Sequence, residues 1–223
     1  THKVVEVSDC LLHAPQTDDV LRAVRETALE CGLAAYNEDR RTGFLRHALV
    51  RRGHYTGQIL LTLVTAHASF PRKEEFLSRL LEKCPGITSV VQNVNPRKTS
   101  AVLGFVEHVL YGPGKIEDTL CGLRFFISSR SFYQVNSAQT EVLYHEAIRL
   151  AELTGEETVI DAYCGIGTLT LAAAKQAGQA IGIELNPAAV ADAIENARAN
   201  GIQNACLIKG DAGRVMVKMA REG

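Results

Sequence analysis

With 223 residues, 46% of them hydrophobic, the chain is long enough to bury a substantial core as one large domain or two small ones. No apolar run approaches the ~20 residues of a membrane span and no signal peptide is visible at the amino end, so a soluble, cytoplasmic setting is expected. A net charge of −1 excludes attraction of nucleic acid by the overall field, so such a partner must be met by a local basic surface.

The chain opens at THKVVEVSDC without a methionine and stops at DAGRVMVKMAREG, which reads as part of a longer protein. Val20, Leu21, Val24, Ala28 and Cys31 recur at helical spacing and predict an amphipathic helix. FLRHALVRRG and TGQILLTLVTA read as a pair of strands, and PRKEEFLSRLLEKCPG as a second helix. Further strands are expected around 87–95, 101–110 and 115–127. Strand pairs separated by single helices predict a compact α+β domain over residues 1–127, with the boundary near Ser128.

Beyond it the texture changes. Leu143, Ala147, Leu150 and Ala151 mark a helix that Asn136 or Ser137 caps and Gly155 ends. TVIDAYCGIG reads as a buried strand entering a glycine turn, and TLTLAAAKQAG as the helix that follows, closed by Gly178. QAIGIELN is a second strand; Asn186 caps the next helix, with Pro187 in its first turn, and NACLIKGD is a third strand. Alternating strands and helices of this length form a parallel, doubly wound sheet, so 128–223 is expected to be an α/β, Rossmann-like domain.

The turn itself points to a ligand class. A dinucleotide site wants G-x-G-x-x-G, but Thr170 stands where the third glycine would follow Gly165 and Gly167, which disfavours NAD. Two glycines still let the backbone pass close to a ligand, and Glu184, ending the second strand, can accept hydrogen bonds from both hydroxyls of a ribose. Asp161, ending the first strand, adds negative charge suited to a cationic amino acid or sulfonium. S-adenosylmethionine combines these features. Asp211, ending the third strand, either accepts from an adenine amino group or caps the helix that follows. The six cysteines, Cys10, Cys31, Cys84, Cys121, Cys164 and Cys206, lie far apart and are expected to be reduced, with Cys164 a packing residue, because nothing basic adjoins it.

SFYQVNSAQTEVLY, VIDAYCGIGTLTL and IGIELNPAAVADAIENARANGI together resemble the RNA (uracil-5-)-methyltransferases, which make 5-methyluridine in ribosomal and transfer RNA. LRHALVRRGHYTGQILLTLVT resembles that family's central domain, so the likeness covers nearly the whole chain. It implies a class I S-adenosylmethionine-dependent methyltransferase domain, incomplete at its carboxyl end and preceded by the α+β domain. Gln134 of the F-x-Q-V-N strip is then a cofactor contact, and Tyr163, Glu184 and Asp211 match other cofactor positions. In the family a cysteine thiolate adds to carbon 6 of uracil and a base removes the proton at carbon 5. Both follow a D-P-P-R motif and are expected beyond residue 223, so no catalytic role is assigned here. Cys10 matches the context of the fourth ligand of a 4Fe–4S cluster found in some members, or is a plain buried thiol. Arg46, Arg51 and Arg52, within EDRRTGFLRHALVRRGHYTG, either track RNA phosphates or guard a strand edge. A cofactor- or RNA-binding fragment without activity, and a small-molecule methyltransferase, are the alternatives.

Overall fold

A computed structural model describes residues 5, 7, 10 and 12–222 of the chain. It divides into two compact units, Thr1–Gly53 with Gly57–Ile116, and His54–Thr56 with Glu117–Gly223. The β-hairpin at 115–128 thus falls mostly with the second unit, ahead of the boundary expected near Ser128.

In the first unit, α1 (Pro15–Glu30) starts on a proline whose fixed φ suits the first turn, and it buries Val20, Ala23, Val24, Thr27 and Ala28 at spacings of three and four. Gly32, at φ +64°, ends it in the left-handed conformation that costs glycine least. β1 (Leu45–Arg52) pairs antiparallel with β2 (Ile59–Thr65), and β2 pairs in parallel with β3 (Ile87–Val94) after crossing over through α2 (Lys73–Lys83). β4 (Val106–Tyr111) adds antiparallel to β3, giving the order β1-β2-β3-β4. Every residue of β2 is buried, as expected of an apolar run in a central strand. Val24, Phe76 and Leu80 from the helices meet Leu61, Leu63 and Val90 from the sheet in one core.

The strand expected from Ala101 begins only at Val106. Asn95, wholly buried, donates to the carbonyls of Ala101 and Val102, and Asn93 accepts from the Gly104 amide at 2.6 Å, so these side chains hold 101–104 as a loop. The single strand expected over 115–127 is likewise broken into β5 (Lys115–Leu120) and β6 (Leu123–Ser128). Cys121 and Gly122, at φ +51° and +70°, make the two-residue turn between them.

In the second unit, α3 (Ser137–Leu150) is capped by Asn136, whose side chain accepts from the Gln139 amide. There follow β7 (Thr158–Asp161), α4 (Thr168–Ala174), β8 (Gln179–Glu184), α5 (Pro187–Ala199), β9 (Ala205–Lys209) and α6 (Ala212–Glu222). The strands form a parallel sheet in the order β7-β8-β9, with Ile160 opposite Ile181 and Ile181 opposite Cys206. Phe125, Ile148, Leu171 and Ala197 pack in its core. Asn196, wholly buried, ties the layers by donating to the Ile166 carbonyl and accepting from the Phe126 amide.

The turn leading into β7 is fastened by Glu157, which accepts from the Thr154 hydroxyl and from the amides of Thr154 and Gly155. These bonds, the Thr154 hydroxyl first, hold its carboxyl down at about 2, against an ordinary value of 4.5. A depressed carboxylate stabilises the fold above its unfolded pKa and loses that effect as pH falls through the folded one. Glu157→Gln is therefore expected to lower the thermal midpoint at neutral pH, with the difference from the parent shrinking between pH 4.5 and 2. A difference independent of pH would remove the carboxylate from this role.

Candidate cofactor site

The carboxyl end of β7 opens on a cavity of about 150 Å³. Its lining comes from three places: Phe132, Tyr133 and Gln134 of the strip before α3; Tyr144 of α3; and Asp161, 163–166, Thr168 and Leu169, from the end of β7 into α4. Phe132 and Tyr163 are 70% and 82% exposed, so two aromatic faces stand open to a ligand.

Polar anchors on both sides hold the strip. Asp192 accepts from the Ser128 and Ser131 hydroxyls at 2.9 and 2.6 Å, closing the bend where the strip begins. Asp118 is wholly buried and accepts from the amides of His54, Tyr55 and Thr56 and from the Tyr133 hydroxyl. Burial, and then the charge of Asp118, push the Tyr133 phenol well above its ordinary value, so it stays a hydrogen-bond donor. Glu141 on α3 accepts from the Tyr55 hydroxyl and the Cys121 amide, and the former bond does most to lower its carboxyl.

The glycine turn shows which positions need to be bare. Gly165 lies at φ +55° on the cavity wall, and a Cβ added there would meet nothing within 4 Å, so the open space above it is room for a ligand. Gly167 differs: at φ +86° it starts α4, and a Cβ there would touch Ala193 and Leu171 at 3.4 Å. Asp161 accepts from the Thr170 hydroxyl at 2.7 Å and from the Tyr163 amide at 3.4 Å. The hydroxyl that replaces the third glycine of a dinucleotide fingerprint thus orients this carboxylate. Glu184 bridges the turns after β7 and β8, accepting from the Gly165 amide at 3.1 Å and the Asn186 amide at 2.7 Å. Two carboxylates, a bare glycine wall and open aromatic faces fit a nucleoside ligand carrying positive charge.

Of the residues expected from sequence, Gln134, Tyr163 and Gly165 meet on this cavity, and Glu184 is joined to it through the Gly165 amide. Asp211 does not line it; its carboxylate accepts from the Arg214 amide at 3.0 Å as a cap on α6. Sequence reasoning passed over Phe132, Tyr144, Thr168 and the anchor Asp118. Tyr144 and Thr168 share a 2.9 Å hydroxyl contact at the wall. Asp118 left a signal, a carboxylate on the buried face of β5 between Ile116 and Leu120. Cys164 lies on the cavity wall but is buried, and burial, Asp161 and Glu184 push its thiol up to about 12.

In the first unit, Arg46 has a side chain only 3% exposed, donating to the carbonyls of Asn95 and Arg97 and to Glu38. Arg51 is partly buried, which pushes its guanidinium down, and Arg52 is exposed. Cys10 is partly exposed, with its amide donating to Asp18. Among the described residues no group of three or more His, Cys, Asp or Glu side chains is placed to hold a metal, so the expected cluster ligand gains no support. No helix among them is long and apolar enough to cross a membrane.

A methyltransferase-domain family model matches residues 153–221. An uncharacterized RNA methyltransferase of Halalkalibacterium halodurans is 44% identical over 216 residues, covering 97% of this chain and 47% of that protein. Another, of Listeria monocytogenes, is 44% identical over 223 residues, covering 100% of this chain and 49% of its own length. The chain thus spans about half the length of the curated relatives it matches. Among solved structures, the tRNA (uracil-54, C5)-methyltransferase of Pyrococcus abyssi in complex with S-adenosyl-L-homocysteine is similar, with a TM-score of 0.80 and 23% identity over 93% of this chain and 50% of that one. The second unit of the chain has the α/β, Rossmann-like fold of the S-adenosylmethionine-dependent methyltransferases.

Proposed function

We propose that this chain is the cofactor- and RNA-binding part of an S-adenosylmethionine-dependent methyltransferase that acts on carbon 5 of uridine in ribosomal or transfer RNA. The observation that carries the cofactor assignment is the meeting of Gln134, Asp161, Tyr163 and Gly165 on one cavity, with Glu184 held against the same turn. RNA as the substrate class is supported by relatives at 44% identity named RNA methyltransferases. The uracil position is supported by the resemblance of the F-x-Q-V-N strip at 132–136, of which Phe132, Tyr133 and Gln134 line the cavity.

S-adenosylmethionine, when bound, supplies an electrophilic methyl group. The residues present bind and orient it. Glu184 would accept from ribose hydroxyls, Asp161 would favour the cationic end, Gln134 has both a donor and an acceptor to offer, and Phe132 and Tyr163 provide open rings. None of these groups makes carbon 5 of uracil nucleophilic; that needs a thiolate added at carbon 6 and a base for the proton at carbon 5. Both are proposed to lie outside residues 1–223.

Calorimetry tests the assignment. S-adenosylhomocysteine is expected to bind and NAD not to bind, with Glu184→Ala weakening the former by about 1–3 kcal/mol through lost hydrogen bonds to a charged acceptor. Tighter binding of NAD would sink the proposal.

A further inference from the structure

The larger cavity is in the first unit, remote in sequence from the glycine turn and unused by the chemistry above. It is a half-open hollow of about 390 Å³ lined by Tyr36, Glu38, Arg41, Arg46, His47 and residues 98–101. Three cations, Arg41, Arg46 and Lys98, stand against one carboxylate, Glu38, so its charge is positive within a chain whose net charge is −1.

The site is built from buried parts. Arg46 forms its floor: one terminal nitrogen spans the Asn95 and Arg97 carbonyls at 2.7 and 2.8 Å, the other meets Glu38 at 2.9 Å, and the guanidinium lies 4.7 Å from the centre of the Tyr36 ring. Its Nε is buried with no hydrogen-bond partner among the described residues, so this guanidinium serves as a fixed part of the floor through its two terminal nitrogens. Asn95 fixes the opposite wall by binding the Ala101 and Val102 carbonyls. Arg41 is held at φ +56° by its amide bond to the Asn37 carbonyl, beside Gly43, where a Cβ would lie 2.3 Å from the Ala35 carbonyl oxygen. The Arg41 and Lys98 side chains are exposed and have no ion-pair or hydrogen-bond partner among the described residues.

We propose that this cavity seats one nucleotide of single-stranded RNA, with Arg41 and Lys98 on its phosphate, apart from the cofactor cavity. The exposed cations Arg41 and Lys98 on the cavity wall call for an oxyanion, and the volume decides its size. A lone phosphate would leave most of 390 Å³ empty, whereas small-molecule sites of about 300–1,000 Å³ hold a ligand the size of a nucleotide. The hydroxyls of Thr99 and Ser100 and the ring of His47 add neutral donors and acceptors at the rim, suited to a sugar or base edge. A duplex could not enter such a pocket, whereas an unstacked nucleotide of a single strand could. The inference deepens the reading of RNA as substrate and rests on it.

The test is binding of a short, mixed-sequence, single-stranded RNA to the 223-residue chain at several salt concentrations. Glutamines at both free cations, Arg41→Gln/Lys98→Gln, are expected to weaken binding roughly tenfold at low salt and to flatten the slope of log affinity against log salt by about 0.7, one lost phosphate on a single strand. Arg22→Gln/Lys73→Gln removes the same charge from helix surfaces and is expected to change the slope much less. Inorganic phosphate and a nucleoside monophosphate serve as competitors: displacement of RNA by the nucleotide at lower concentration than by phosphate supports a nucleotide seat, and equal displacement overturns it in favour of a simple anion site. An equal effect of the two double variants, or none from the first, overturns the inference and leaves the RNA reading standing. Failure of the parent chain to bind RNA at all brings down both, while the calorimetry with S-adenosylhomocysteine reports on the cofactor assignment separately.

Discussion

The 223-residue chain is expected to bind S-adenosylmethionine and yet transfer no methyl group to RNA. Methylation at carbon 5 of uracil needs a thiolate at the cofactor, and among the described residues Cys164 is the only cysteine on the cavity wall. With its pKa pushed up to about 12, the Cys164 thiol stays protonated at neutral pH. Burial does most to raise it, and the neighbouring charges that add to it, Asp161 and Glu184, are those proposed to hold the cofactor. Burial also pushes up the thiols of Cys84 and Cys121. The measurement is transfer of label from S-adenosylmethionine to RNA by this chain, and by a longer protein that carries the resembled family's D-P-P-R motif, cysteine and base, each with and without Cys164→Ala. Transfer only by the longer protein, unaffected by that substitution, is the expected result. Transfer by the 223-residue chain that disappears in Cys164→Ala would make Cys164 the nucleophile and reverse the assignment.

The glycine turn was legible in the sequence because its constraints are local. A strand, two bare positions and a helix follow from residues within a few places of one another, and Gly165 and Gly167 both adopt positive φ, although only Gly165 faces the ligand space. The cap at Asn186 was equally readable, since it depends on the amide two residues on. What the sequence concealed depends on distance along the chain. Asp118 gathers the amides of 54–56 and the hydroxyl of Tyr133, and no spacing rule links those positions. The strand from Ala101 was misread because Val102, Leu103 and Phe105 look apolar enough for one, whereas two buried asparagines claim the backbone groups a strand would pair. The arginine run shows the same limit. Composition marks Arg46, Arg51 and Arg52 alike, but tertiary packing gives Arg46 a buried structural place and leaves Arg52 exposed.

Gly182→Val is expected to abolish cofactor binding and to destabilise the second unit, because this glycine in β8 lies directly beneath the turn. An added Cβ would stand 2.9 Å from the Cβ and Sγ of Cys164 and from a methyl of Leu207, so a valine, with two further methyls, cannot enter without displacing the turn or β9. The turn has little freedom to yield, since the Cys164 amide is bonded to the Ile183 carbonyl at 3.0 Å and the Gly167 amide to the Cys164 carbonyl at 2.8 Å. Moving it separates the Gly165 amide from Glu184 and so breaks the geometry that joins the carboxylate to the cavity. Overpacking of this kind costs about 1–3 kcal/mol. Urea unfolding should show that loss, and calorimetry should show S-adenosylhomocysteine binding falling below detection. Gly201→Ala is the control: Gly201 sits at positive φ, +65°, which Gly182 in its strand does not, and its Cβ would meet nothing within 4 Å, so the substitution adds backbone strain without a clash and should retain binding. Adding Cys164→Ala to Gly182→Val removes the sulfur while leaving the Cβ and Leu207 contacts, and is expected to recover part of both stability and binding. If Gly182→Val binds the cofactor as tightly as the parent, the turn is not held by packing on β8 and this account of the site is wrong.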